Sequence, residues 1–203
     1  MGEFSYLTVQ NTASGLYKEK GSKFISYVYP IESEAEVKSN LETLRKKHYD
    51  ARHHCYAWIL GVEKQQYRAY DDGEPNHSAG DPILGQIRSR NLTNVLVVVV
   101  RYFGGTKLGI SGLIVAYRSA AREALEKCAI IEKDVTQSLI LRYDYAYTPE
   151  VMKLIKDFDL VILNQDFQEE CMLKTDVKLG LKEKVIERID LLNAIGSSIQ
   201  IDV

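Results

Sequence analysis

The order of apolar and polar positions changes several times along this chain, and each change predicts an element. Residues 20–29 alternate and then meet Pro30, which predicts a strand that stops there. Ser33 and Glu36 have the Ser-x-x-Glu spacing of a capping box, and Val37, Leu41, Leu44 and His48 then share one helical face. Residues 55–60 and 65–70 predict two strands joined near Gly61. The polar stretch 71–82 predicts a loop, and 83–89 a short helix. The run up to Val100 is apolar and β-branched without alternation, the pattern of a central strand. After a glycine-rich loop, Leu113, Tyr117, Ala120, Ala124 and Cys128 repeat at helical spacing, with alanines suited to close helix–sheet packing.

From about Ser138 the pattern resets. Residues 138–145 predict a strand, and Thr148-Pro149-Glu150 a helix start with Thr as cap and Pro in the first turn. Val151, Leu154, Ile155 and Phe158 form that helix's stripe. Residues 160–167 and 170–178 read as strands, Leu181, Val185, Ile189 and Leu192 as a helix, and 197–203 as a last strand. The order β-α-β-β-α-β is the ferredoxin-like unit. An α+β chain of two domains, residues 1–134 and 138–203, is expected, with the boundary between Ile131 and Gln137.

The abrupt end of the central run at Arg101 carries the first chemical signal. Glycines at 104, 105 and 109 follow, and a helix begins near Ser111. A buried strand that feeds a glycine loop and a helix start leaves main-chain N–H groups unpaired and lets a ligand approach the backbone. One reading is phosphate contact through Arg101, Gly104, Gly105, Lys107, Gly109 and Ser111, extended along the helix by Arg118. The other is a tight turn that brings helix and sheet together, with Arg101 paired to a local carboxylate. The spacing is neither the P-loop nor the Rossmann pattern, so nucleotide binding is not indicated.

Composition narrows the setting. With 203 residues, 45% hydrophobic and 27% charged, the chain has room for one large or two small globular domains. No apolar run approaches the ~18–20 residues that span a bilayer, and no secretion signal is recognisable, so no membrane role is expected. Cys55, Cys128 and Cys171 are odd in number and widely spaced, unlike a disulfide framework or zinc ribbon, and a reducing cytoplasm is the expected location. The net charge of −2 argues against indiscriminate coating of nucleic acid. Residues 1–136 carry 18 Lys/Arg against 16 Asp/Glu, and the remainder 8 against 12, so a phosphate-binding face belongs in the first segment.

Polar residues flanking the glycine loop admit two roles. Asp71, Asp72 and Glu74 around Gly73 have the donors for a divalent cation, without the spacing of a calcium-binding hand. The favoured role is structural, closing one loop over another by pairing with Arg101 or with Arg52-His53-His54. His53, His54, Cys55 and His77 are zinc-ligand types. Adjacent histidines on a strand point to opposite sides, however, and Cys55 opens a core strand. No metal or other cofactor is expected. Arg45-Lys46-Lys47-His48 offsets a helix dipole or meets an RNA backbone, and Tyr49, Tyr56, Tyr67 and Tyr70 stack bases or lie half-buried on sheets. Arg118 and Arg122 extend the positive surface or pair with Glu126.

Three ordered motifs, together with the strand that precedes them, resemble the IMPACT/YigZ family, also called uncharacterised protein family 0029. They are His53-His54-Cys55-Tyr56-Ala57-Trp58, the stretch Asp71-Asp72-Gly73-Glu74-Pro75-Asn76-His77-Ser78-Ala79-Gly80, and Arg101-Tyr102-Phe103-Gly104-Gly105-Thr106-Lys107-Leu108-Gly109; Lys20-Gly21-Ser22-Lys23-Phe24-Ile25 is similar to the family's N-terminal strand. The resemblance implies a first domain of the ribosomal protein S5 domain 2-like fold. It also implies a ferredoxin-like second domain similar to one in elongation factor G. For eukaryotic members it implies translational control, through interference with activation of the kinase that senses uncharged tRNA; for bacterial members it implies contact with RNA or the ribosome.

The resulting expectation is a noncatalytic cytosolic protein linked to translation that binds RNA or the ribosome, with a protein partner available to the second domain. The alternatives are a small-molecule enzyme acting on a phosphorylated or carboxylated substrate, with Asp71, Asp72 or Glu74 as base or metal holder, and a pure protein-interaction module. The enzyme reading lacks a complete catalytic constellation.

Overall fold

A computed structural model describes residues 4–167 and 171–202. The chain divides into two compact units, Tyr6–Lys133 and Asp134–Val203, the latter joined by the start of the chain. Phe4 is tied to that second unit, because Val135 N–H donates to its carbonyl at 2.7 Å and Gly180 backs onto its ring.

In chain order the elements up to the end of the first unit are β1 (Ser5–Val9), β2 (Ala13–Glu19), β3 (Ser22–Pro30), α1 (Glu34–Lys47), β4 (His53–Leu60), β5 (Gln66–Tyr70), α2 (Gly80–Ser89), β6 (Val95–Tyr102), α3 (Gly109–Leu125) and β7 (Ile130–Asp134). Strands β2-β3-β6-β4-β5 form one sheet, antiparallel throughout, and β1 and β7 form a two-stranded sheet. The unbroken apolar run of β6 has a direct cause, since the strand is covered on both faces. Val95, Val97 and Val99 face α2 and α3 together with Phe24, Val28, Cys55, Ala57 and Ile59. Leu96, Val98 and Val100 face α1 with Tyr56, Trp58 and Leu60.

Several elements differ from the sequence pattern. β2 and its hairpin to β3 carry no clear sequence signal, because the two-residue turn is Lys20-Gly21, with φ of 44° and 81°, and lysine is a weak turn former. His48 ends α1 as its C-cap, its N–H still bonded to Leu44 O at 2.8 Å. Ser33 does cap α1, its Oγ accepting from Glu36 N–H at 3.3 Å. α2 starts at Gly80, earlier than the apolar stripe suggests, because a side chain from the preceding loop caps it.

The second unit consists of β8 (Thr136–Tyr143), α4 (Thr148–Asp157), β9 (Val161–Phe167), β10 (Cys171–Lys178), α5 (Lys182–Ala194) and β11 (Ile199–Asp202). Its sheet order, β11-β8-β10-β9, is antiparallel with the ferredoxin-like connectivity. α4 and α5 cover one face, burying Leu139, Leu141, Leu173 and Val177 against Val151, Leu154, Val185 and Ile189. Tyr147 rather than Thr148 is the N-cap of α4, because a short 3-10 turn precedes it. The expected strand ends at Glu170 and Val203 lie outside the described residues. Edge strand β9 leaves Val161, Ile162, Leu163 and Phe167 exposed.

Candidate functional site

One end of the first unit's sheet gathers residues from each of the three ordered motifs that begin at His53, Asp71 and Arg101. Register pairs His53 with Arg101 across β4 and β6, and Lys23 with Tyr102 across β3 and β6. The loop after β5 and the loop between β6 and α3 therefore arrive at the same edge.

The acidic loop is fastened down by its own carboxylates. Asp71 Oδ1 accepts from Ala79 and Gly80 N–H at 2.9 and 2.8 Å, and its Oδ2 accepts from His77 N–H at 2.9 Å. It is thus the N-terminal cap of α2, where a negative charge also meets the positive end of the helix dipole. Asp72, in the left-handed region with φ 44°, accepts from His54 N–H at 2.6 Å, and its carbonyl accepts from His53 Nδ1–H at 2.8 Å. Gly80 has no room for a side chain, since an added Cβ would lie 2.5 Å from Tyr70 N.

Glu74 is the deepest of the three acids. Its Oε1 accepts from Arg101 Nη1 at 2.6 Å and from the Tyr117 hydroxyl at 2.7 Å. The Cys55 thiol lies 3.0 Å from Asp71 O and 3.3 Å from the Tyr117 hydroxyl. Burial pushes the Cys55 thiol well up; the Tyr117 hydrogen bond opposes this, and Glu74, Asp72 and Asp71 add to it. Burial likewise pushes the Tyr117 hydroxyl far up. Cys55 is therefore a neutral core thiol, not a nucleophile. The sequence showed Tyr117 only as a member of an apolar stripe. Its one distinguishing signal was a polar tip among alanines.

Arg101 and Gly104, both assigned to a phosphate site by sequence, are committed to the protein itself. The Arg101 guanidinium is buried, paired with Glu74, and lies 5.5 Å from the Phe24 ring centre and 5.8 Å from that of Phe103. Gly104 N–H donates to Ser22 Oγ at 3.1 Å, and an added Cβ would fall 1.9 Å from Gly21 C, so its glycine serves backbone packing.

The remainder of the turn is open. Gly105 and Gly109 have φ of 86° and 72°, with nothing within 4 Å of an added Cβ at either. Lys107, Gly109, Ile110 and Ser111 are exposed. Among the described residues no side chain caps α3, whose Ncap is Leu108. Arg118 is exposed along the same helix and lines a shallow groove with His77 and Asp81. His77 Nδ1 lies 2.7 Å from Asp81 Oδ2, on the surface. Arg122 pairs with Glu126 at 3.7 Å. His53 and His54 lie on opposite faces of β4, and among the described residues no three His, Cys, Asp or Glu side chains converge as a metal site would require. Among the described residues no helix is long and apolar enough to cross a membrane.

The family model of the Impact N-terminal domain matches residues 20–125. The chain is 29% identical over 174 residues to the IMPACT family member YvyE of Bacillus subtilis, covering 86% of this chain and 80% of that one. To the IMPACT family member YigZ of Escherichia coli it is 34% identical over 157 residues, covering 76% and 77% respectively. A crystal structure described only as that of a hypothetical protein matches with a TM-score of 0.77 at 28% identity, covering 98% of this chain and 97% of the other.

Proposed function

The chain belongs to the IMPACT family, and from that premise we propose that it is a cytoplasmic RNA-binding protein acting in the regulation of translation, on the ribosome or on RNA directly. Translational control comes from the family resemblance. The observation that carries the RNA part is the exposed turn between β6 and α3. Residues 105–112 present Lys107, two glycines in left-handed geometry with open space above them, and an uncapped helix start. Main-chain N–H groups in that setting favour a phosphate oxygen, and Lys107 adds a point charge. Arg118 extends the same positive surface, and Ser111 adds a hydroxyl donor at the helix start. Arg101 supports the reading at one remove, by anchoring the strand from which the turn springs.

The test is binding of labelled cellular RNA by the purified chain across a salt series. Counterion release makes the affinity fall steeply with salt, and Lys107→Glu weakens it for all sequences alike. Affinity indifferent to both salt and this substitution would reject the reading.

A second reading, a protein partner on the second unit, is favoured by the apolar side chains exposed along edge strand β9. Among the described residues no strand pairs with the outer side of β9, and an edge of this kind accepts an added strand. Capture of a partner that is lost with Leu163→Lys supports it; capture unchanged by that substitution rejects it.

A further inference from the structure

We propose that the part of the first unit's sheet left open beside α1 is a stacking platform for single-stranded RNA, with Tyr27, Tyr29 and Tyr102 receiving bases and Lys18, Lys23 and Lys47 receiving phosphates. This rests on the RNA-binding reading above and assigns where on the molecule the bases lie.

α1 lies over the β6–β4 part of the sheet; Tyr27, Tyr29 and Tyr102 pack at the margin of the core beneath it, and β2 beyond them presents exposed side chains on that face. Leu16 on β2 is 49% exposed, and Ile25, Tyr27, Tyr29 and Tyr102 are half-buried. The rings of Tyr27 and Tyr29 lie within 18° of parallel, 6.5 Å apart.

His48 fixes two of the three rings. Its Nε2 lies 2.8 Å from the Tyr27 hydroxyl and its Nδ1 2.9 Å from that of Tyr102, which donates to Asp50 at 3.0 Å. The single hydrogen of Tyr102 goes to Asp50, so His48 Nδ1 donates to Tyr102 and Nε2 accepts from Tyr27. Aromatic faces held in place before a ligand arrives lose little entropy when it binds.

Lysines flank the rings, beside the Asp50 carboxylate that accepts from Tyr102. Lys47 Nζ sits 4.9 Å from the centre of the Tyr27 ring. Lys18 and Lys23 are direct cross-strand partners, an unfavourable pairing of like charges that a bound phosphate relieves. Lys23 in turn pairs with Tyr102, the residue before the loop that leads into the exposed turn at 105–112, so the platform is continuous with the anion-binding turn proposed above. Aromatic rings flanked by lysines at the margin of a sheet suit a single strand, whose bases can splay onto them, whereas a duplex keeps its bases stacked inside.

The experiment measures binding of a fluorescein-labelled oligouridine, a duplex RNA of equal length and a polyglutamate peptide to the whole chain by anisotropy. The single strand binds tightest. Tyr29→Ala weakens it on the order of tenfold, and Tyr29→Trp restores it. Replacing Lys18 and Lys23 by Ala flattens the salt dependence. Tyr29 lies outside the His48 network, so its substitution leaves those hydrogen bonds in place. Wild-type affinity in both Tyr29→Ala and Tyr27→Leu would overturn the platform, as would equal binding of the duplex or the peptide. In that case a continued loss of affinity with Lys107→Glu would leave the RNA-binding reading standing. Absence of RNA binding by the wild-type chain would overturn both.

Discussion

Arg101 and Glu74, far apart in sequence, meet at 2.6 Å with only 8% and 4% of their side chains exposed. Two of the family-like motifs thereby become one structural unit. The strand that carries Arg101 next to its last residue is latched to the loop that begins at Asp71, and Tyr117 of α3 closes the latch on the same Glu74 oxygen.

Breaking that latch from one side leaves a buried charge without its partner. Arg101→Ala is expected to destabilise the first unit by ~3–5 kcal/mol, read as a drop in the urea midpoint. Replacing Arg101 by Met and Glu74 by Leu together recovers part of the loss, because neither charge is then stranded. A double variant no better than Arg101→Ala would contradict the account.

Asp71 is expected to matter for α2 rather than for chemistry. Asp71→Ala removes an acceptor for three main-chain N–H groups and costs ~2 kcal/mol, the upper end for a helix cap, and Asp71→Asn costs less. Hydrogen exchange at Ala79 and Gly80 reports it directly and should quicken in the alanine variant.

The two glycines of the Gly104-Gly105 pair should both resist substitution, to different degrees and for different reasons. An added methyl at Gly104 would meet the backbone of Gly21 and Ser22 at 1.9 and 2.1 Å, so Gly104→Ala is expected at or beyond the top of the ~1–3 kcal/mol range for overpacking. At Gly105 the space is open and only the left-handed backbone objects, costing ~1–2 kcal/mol. Thermal midpoints of the two variants settle the order.

Acid should weaken the first unit through two histidines. Burial holds His48 below the ordinary imidazole range, with Lys47 adding and Asp50 opposing. Burial also lowers His54; Asp72 opposes this, while Arg45 and His48 add to it. Near pH ~6.5 the unfolded chain takes up protons that the folded chain still refuses, so stability is full above that value and falls below it. Urea midpoints at pH 7.5 and pH 5.0 (both approximate settings about the ~6.5 reference) check the sign, and the difference shrinks in His54→Gln.

Cys55 should resist alkylation in the folded protein. Its thiol is buried and pushed far up, so almost no thiolate exists near neutral pH. Mass spectrometry after iodoacetamide treatment of native and urea-unfolded chain should show Cys55 modified only in the latter.

Sequence periodicity by itself determined most of the elements and the second unit's topology. The reason is that a strand or helix with one buried face must repeat its apolar residues at that element's own spacing, as β10, α3 and α5 do. It also set out both roles for the acidic loop, including the pairing with Arg101. Tertiary structure alone decided between them, because which carboxylate meets which guanidinium depends on strands β4 and β6 lying side by side. The same holds for the His48 network. Tyr27, His48 and Tyr102 sit on three different elements, and only the sheet register and the end of α1 bring their polar tips within hydrogen-bonding reach.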